Sequence, residues 1–245
     1  MSSELLIALI SGVVALIAAA LAIWGQLRST QLGAKLQALG LAEEARLKTE
    51  EAMAGYREPL ARAAFELQSR LYNILEKHLF MNHFDKGNER ERTYVIDNTA
   101  FLVAQYLAWT EIIRRDIQYI DLGQDGQTRD LAHLQEKIHV LFLTDRFERT
   151  FRIFAGEQRA IGERMIRDAT KGPECIGYAA FLTKLAQAPD PLLDYVREDA
   201  RQLSTMLQTA RPRLVALQNA LIDLLAFLDP DFIRFPKERR AKVVE

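Results

Sequence analysis

The 245-residue chain carries 32 Lys and Arg against 33 Asp and Glu, a formal net charge of −1. That balance excludes a global electrostatic pull toward nucleic acid or acidic lipid and leaves such attraction to local patches. The single cysteine excludes a disulfide framework and agrees with a reducing compartment.

From Leu5 to Gly25 no residue is charged, and about 20 apolar residues in helical form span the roughly 30 Å hydrocarbon layer of a bilayer. A secretory signal would open on basic residues and carry a shorter apolar stretch, whereas this chain opens Met1-Ser2-Ser3-Glu4. A core helix would show a polar stripe, and only Ser11 and Gly12 are available for one. Residues 1–25 are therefore predicted to form an uncleaved, single-pass transmembrane anchor in the cell membrane. Arg28 and Lys35 follow the segment and no Lys or Arg precedes it. Basic residues stay on the cytosolic side, which puts the N-terminus outside and the remaining chain in the cytosol. Trp24 and Arg28 are the expected membrane-interface residues. Ala8, Gly12, Ala15 and Ala19 belong to a stripe of small residues that lets two backbones approach, which predicts a homodimer through the anchor.

Residues 26–56 are rich in Ala, Leu, Glu, Lys and Gln and contain no proline, so they read as a helical stalk. Leu32, Leu36 and Leu39 have the spacing of a coiled-coil seam, but Glu43 and Arg46 take its next positions, and the seam lasts about one heptad. Gly55 marks the expected joint to the folded part.

Residues 57–229 read as a helical bundle. Pro59 fits a first helical turn, and Leu60, Ala64, Leu67, Leu71, Ile74 and His78 recur at three and four residues. Val95, Thr99, Leu102, Tyr106, Trp109, Ile113, Ile117 and Ile120 repeat that spacing, as an antiparallel partner of the first helix would. Further helices are predicted over 130–143, 156–169, 175–187, 192–209 and 214–228, with Pro212 as a new first turn or a kink. The stretch TDRFERTFRIF fits either a helix or a short strand. The basic tail, residues 230–245, reads as a solvated end, with contact to anionic headgroups as the alternative. The fold class is all-α: a single N-terminal transmembrane helix, a helical stalk and a cytosolic multi-helix bundle.

Phosphate-binding loops, dinucleotide fingerprints, zinc-protease motifs and Cys pairs are all missing from the sequence. No cofactor, metal or catalytic residue is therefore assigned, and nucleic acid is not an expected partner. Asp121, Asp125 and Gly126 resemble a calcium loop, but Gly123 and Ala132 stand where two oxygen ligands are required. His78, His83 and Asp85 cluster, and His78 falls on the apolar stripe, where a hydrogen-bonded core histidine is expected. Cys175 has no base placed to activate it and reads as a structural thiol.

One short helix is harder to explain. Gly162 lies in its interior, where glycine costs about 1 kcal/mol relative to alanine, so another backbone should approach there, and CIGYAAF with Gly177, Ala179 and Ala180 is the natural partner. Glu157, Gln158, Arg159 and Glu163 then form the candidate functional patch, able to hold carboxylates for binding or acid–base work. Alternatively, Arg159–Glu163 and Glu163–Arg167 are ordinary pairs on a wet face. The expected function is a bacterial-type membrane-tethered interaction or regulatory module with an unknown protein partner. The alternatives are a helical enzyme with its site at Glu157/Glu163 or His78/His83, and an oligomerising membrane effector.

Overall fold

The computed structural model describes residues 3–117, 126–170 and 172–244, with side chains at most positions from Gly55 onward and at 12, 14, 16, 21–44 and 47 before it. It is 79% helix and 4% strand. The chain divides into two compact units, Met1–Ala52 and Met53–Glu245.

In the first unit the chain is one helix, the start of α1 (Ser3–Glu76), and its described side chains are all exposed. Among the described residues no helix is long and apolar enough to cross a membrane, so the structure lends the anchor expected at 1–25 no support. The side chains of Ala8, Ala15 and Ala19 lie outside the described residues, and Gly12, Trp24 and Arg28 are exposed. Pro59 is inside α1 rather than at its start, and Gly55 is helical, so the expected break there does not occur.

The second unit packs the remainder of α1 with α2 (Glu89–Ile117), α3 (Gly126–Leu143), α4 (Ala155–Met165), α5 (Tyr178–Gln187) and α6 (Pro191–Leu228). Polar pairs fix the directions. Arg70 bonds Asn98 and Glu66 bonds Gln105, so partner numbers rise in α2 as they fall in α1 and the two run antiparallel, as the spacing predicts. Arg57 donates to the Leu228 carbonyl at 2.8 Å, Gln218 to Gln68 at 3.3 Å, and Arg211 to Glu76 at 2.9 Å, so α6 also runs antiparallel to α1. Between them lies an aliphatic core that includes Leu60, Leu67 and Ile74 of α1, Ala104 and Ile112 of α2, and Leu214, Leu221 and Leu225 of α6. Burial of a Leu or Ile side chain is worth about 1.5–3 kcal/mol, and this core is the main force holding the unit together.

Four local expectations are corrected. The helix predicted to reach Ala169 ends at Met165, and Ile166–Ala169 pairs antiparallel with Gly172–Cys175 as a hairpin, β1 and β2. Gly172 sits at φ +114°, a left-handed conformation open to glycine, and Pro173 has no N–H to continue a helix. Arg167 then reaches Glu174 across the two strands at 3.0 Å, and α5 begins only at Tyr178. Secondly, the two helices predicted over 192–209 and 214–228 are one helix, α6, so Pro212 is inside it and does not open a new first turn. It starts where Asp190 caps the Leu192 N–H at 3.2 Å and Pro191 fills the first turn.

Thirdly, the tail does not stand off in solvent. Phe235 stacks on Phe65 with ring centroids 4.5 Å apart. Arg240 pairs with Asp229, and both are buried. Asn219 brackets Val243, donating to its carbonyl at 3.0 Å and accepting from its N–H at 3.0 Å. The tail's basic residues sit around apolar anchors, and the anchors decide where it lies.

TDRFERTFRIF is neither helix nor strand. It is a loop, 144–154, closed by one side chain of α6. Arg213, 0% exposed, donates from Nη1 to the Leu141 and Phe142 carbonyls at 2.6 and 3.1 Å. Its Nη2 donates to Thr144 and Glu148 at 2.8 and 3.0 Å, and its Nε also donates to Glu148, at 3.3 Å. The last carbonyls of a helix have no partner within it, and Arg213 supplies one for the end of α3. Replacing Arg213 with Met should cost about 3 kcal/mol or more, because buried carbonyls lose their donors. Urea unfolding of variant and parent would measure this; a change under about 1 kcal/mol would mean the loop is held by something else.

Candidate functional site

The four patch residues do not converge. Glu157 lies in the first turn of α4, and its Oε2 accepts from the Phe154 N–H at 2.9 Å, so it caps the helix. Glu163 accepts from Arg115 of α2 at 2.9 Å. Gln158 is buried and points the other way, toward α3. Arg159 is exposed and has no ion pair among the described residues. The two carboxylates are committed to separate partners and assemble no acid–base pair.

Gly162 does meet another backbone, but that of α2. A Cβ built on it would lie 2.6 Å from the Leu107 carbonyl oxygen and 3.0 Å from the Glu111 Cβ. Gly177 has nothing within 4 Å, and Ala179 and Ala180 are exposed, so the partner expected from CIGYAAF is corrected. Alanine at 162 should gain about 1 kcal/mol of helix propensity and lose about 1–3 kcal/mol to a clash with backbone that cannot rotate away. Gly162→Ala should therefore lower the urea midpoint; an equal or higher midpoint would show that α4 is free to shift.

That crossing forms one wall of a cleft of about 400 Å³ among α2, α3 and α4. Leu107, Ile113 and Leu131 supply apolar lining, and Tyr106, Gln135, His139 and Arg159 supply polar groups. The Tyr106 side chain is almost wholly buried, and burial pushes its phenol well up from the ordinary range. Neither its hydroxyl nor the Gln135 Nε2 has a hydrogen-bond partner among the described residues. Glu111, on the same wall, is held by Arg114 through two bonds of 2.7 Å and by Arg115 at 2.8 Å. Burial pushes the Glu111 carboxyl up, but the two guanidinium groups outweigh it and hold the acid below its usual range.

The state of His139 follows from its neighbour. Gln158 Nε2 donates to the carbonyls of His139 and Ile153 at 3.1 and 2.9 Å, which fixes the amide orientation. Its Oε1, an acceptor, is left 2.8 Å from His139 Nδ1, so Nδ1 carries a proton. Gln158 and Arg159 belong to the patch expected from sequence, whereas Tyr106 and Gln135 sit at ordinary helical spacings that do not mark them out.

The histidine cluster is corrected as well. His78 lies beyond the end of α1 at φ +51° and is exposed rather than in the core. His83 faces Glu91 at 3.3 Å. No group able to hold a metal occurs among the described residues. Asp121 and Asp125 lie outside the described residues. Burial pushes the Cys175 thiol up to about 12, which leaves little thiolate at neutral pH.

A second cleft, of about 500 Å³, lies between the 144–154 loop, α4 and the start of α6. Asp199 lines it and accepts from the Phe151 N–H at 3.0 Å, fixing a residue at φ +60°. Burial, opposed by that hydrogen bond and reinforced by Glu148, pushes the Asp199 carboxyl up to about 6 from 3.8. The folded chain thus holds a proton between about pH 4 and pH 6 that the unfolded chain releases, and stability falls as pH rises through that window. Asp199→Asn cannot ionise and should flatten the slope, leaving the variant more stable at pH 7.5 by roughly 2 kcal/mol. Urea titrations at pH 4.5 and 7.5 test this, and a parent-like slope in the variant would assign the dependence to another group.

No family of known proteins matches this chain, and neither a curated protein nor a solved structure shows significant similarity to it.

Proposed function

We propose that the chain is a membrane-tethered helical interaction or regulatory module, with residues 1–25 as its anchor, the N-terminus outside and the bundle in the cytosol. The observation that carries the reading is the uncharged run Leu5–Gly25 together with the exposure of the apolar side chains at its end and just past it. Leu21, Ile23, Trp24 and Leu27 are each about 60% exposed, a surface that calls for lipid or a second helix. Arg28 lies 5.2 Å over the Trp24 ring, and an indole beside a basic residue suits the headgroup region. A homodimer through the stripe of Ala8, Gly12, Ala15 and Ala19 belongs to the same proposal, as does a protein partner for the bundle. The enzyme alternative is less well supported, since Glu157 and Glu163 hold separate partners and His78 and His83 are exposed.

The test is fractionation with a reporter fused after Glu245. The parent should resist carbonate extraction and show cytosolic reporter activity. Deleting residues 1–25 should release the bundle to the soluble fraction. A parent that washes off at alkaline pH removes the anchor, and periplasmic reporter activity reverses the orientation.

A further inference from the structure

The cleft among α2, α3 and α4 contains more than helix packing requires. A buried hydroxyl or amide without a partner is costly, and nearly all such groups in native proteins are satisfied. Two of them, Tyr106 Oη and Gln135 Nε2, belong to residues on the wall of one cavity of about 400 Å³. That volume falls within the range of small-molecule sites, which combine an apolar lining with a few convergent polar groups.

The lining also indicates the chemistry. Gln135 Nε2 is a donor, the Tyr106 hydroxyl has a proton to give, and Arg159 has five N–H donors and no ion pair among the described residues. Arg114 is already engaged by Glu111. Tyr106 Oη and Gln135 Nε2 are closed to solvent in the ligand-free chain; turned toward the cleft beside Arg159 and the apolar Leu107, Ile113 and Leu131, they complement an acceptor-rich head on an apolar body. The remaining lining carboxylate, Glu136, is exposed and opposes an anion.

We propose that this cleft binds a small monocarboxylate with an apolar body, its head group on Arg159, Gln135 and Tyr106 and its body against Leu107, Ile113 and Leu131. The assignment does not depend on the membrane tether, because every residue it uses lies in the second unit.

The probes are 4-phenylbutyrate and decanoate, titrated calorimetrically against the full chain in lipid nanodiscs, with empty nanodiscs subtracted. 4-Phenylbutanamide and phenylalanine serve as the uncharged and zwitterionic comparisons. A carboxylate should bind at least tenfold tighter than either comparison. Arg159→Gln should weaken it about tenfold, and Glu136→Gln should tighten it. Tyr106→Phe should act in opposite directions on two readouts: carboxylate binding weakens several-fold, while the ligand-free protein melts at a higher temperature because an unpaired buried hydroxyl is gone. A preference for decanoate points to acyl chains released from lipid, and a preference for phenylbutyrate to soluble aromatic acids; either supports the site. Binding of neither acid, equal binding of the amide, or a Tyr106→Phe variant that melts lower would overturn it. Arg159 is exposed, so Arg159→Gln keeps the test decisive if Tyr106→Phe folds poorly.

Discussion

The buried guanidinium of Arg213 is the constraint on which the arrangement of both clefts depends. Among the described residues it is a charge without a carboxylate in contact, held by carbonyls from the end of α3 and the loop after it. Burial lowers its pKa, with the nearby Arg152 adding to the effect, and Glu148 and Asp199 oppose it. Carbonyl dipoles replace the water that a guanidinium would otherwise keep. Since α6 is continuous through Pro212, the position of Arg213 is set by a 38-residue helix packed along its length. The loop is therefore shaped by α6. Phe151 is pinned at φ +60° by Asp199, Ile153 donates back to Phe142 at 3.0 Å, and the chain then enters α4 with Gln158 against His139 of α3.

The long helices could be read from spacing because each buries one apolar stripe against a common core. Leu60, Leu67, Leu71 and Ile74 are buried as their periodicity implies, as are Val95, Thr99, Leu102, Tyr106 and Ile113. The failures occur where a residue's role comes from a distant part of the chain. Arg213 follows a proline and looks like a charged residue at a helix boundary, and only the carbonyls some 70 positions earlier make it a core residue. The tail's charge pattern suggests solvent, yet Phe235, Arg240 and Val243 each meet α1 or α6. The hairpin was missed because four-residue strands carry too little periodicity to outweigh a helical reading, although Gly172-Pro173 was the available signal.

The candidate site shows the same division. Glycine inside a short helix correctly signalled a close backbone approach, because the cost of Gly162 needs a reason. Which backbone approaches is a tertiary fact, and α2 takes the place that CIGYAAF was expected to fill. Tyr106 and Gln135 could not be singled out, since a residue on a cavity wall and one in a packed interior share the same helical spacing. What distinguishes them is whether a polar atom at the end of the side chain finds a partner.

Several contacts tie α4 into the wall despite its 11 residues. Gly162 seats it on the Leu107 carbonyl, Glu163 ties it to Arg115, and Gln158 ties it to His139 and Ile153. A helix this short has little stability alone, so its order comes from these ties and from Ile161 and Met165 in the core. They also orient Gln158 and, through it, the tautomer of His139. The wall that α4 contributes is thus in place before any ligand arrives, which limits the ordering entropy that binding there has to overcome. Selectivity at the proposed site then rests on matching its donors to a ligand's acceptors, because a buried amide or hydroxyl left unpaired by the wrong ligand costs about as much as the right one gains.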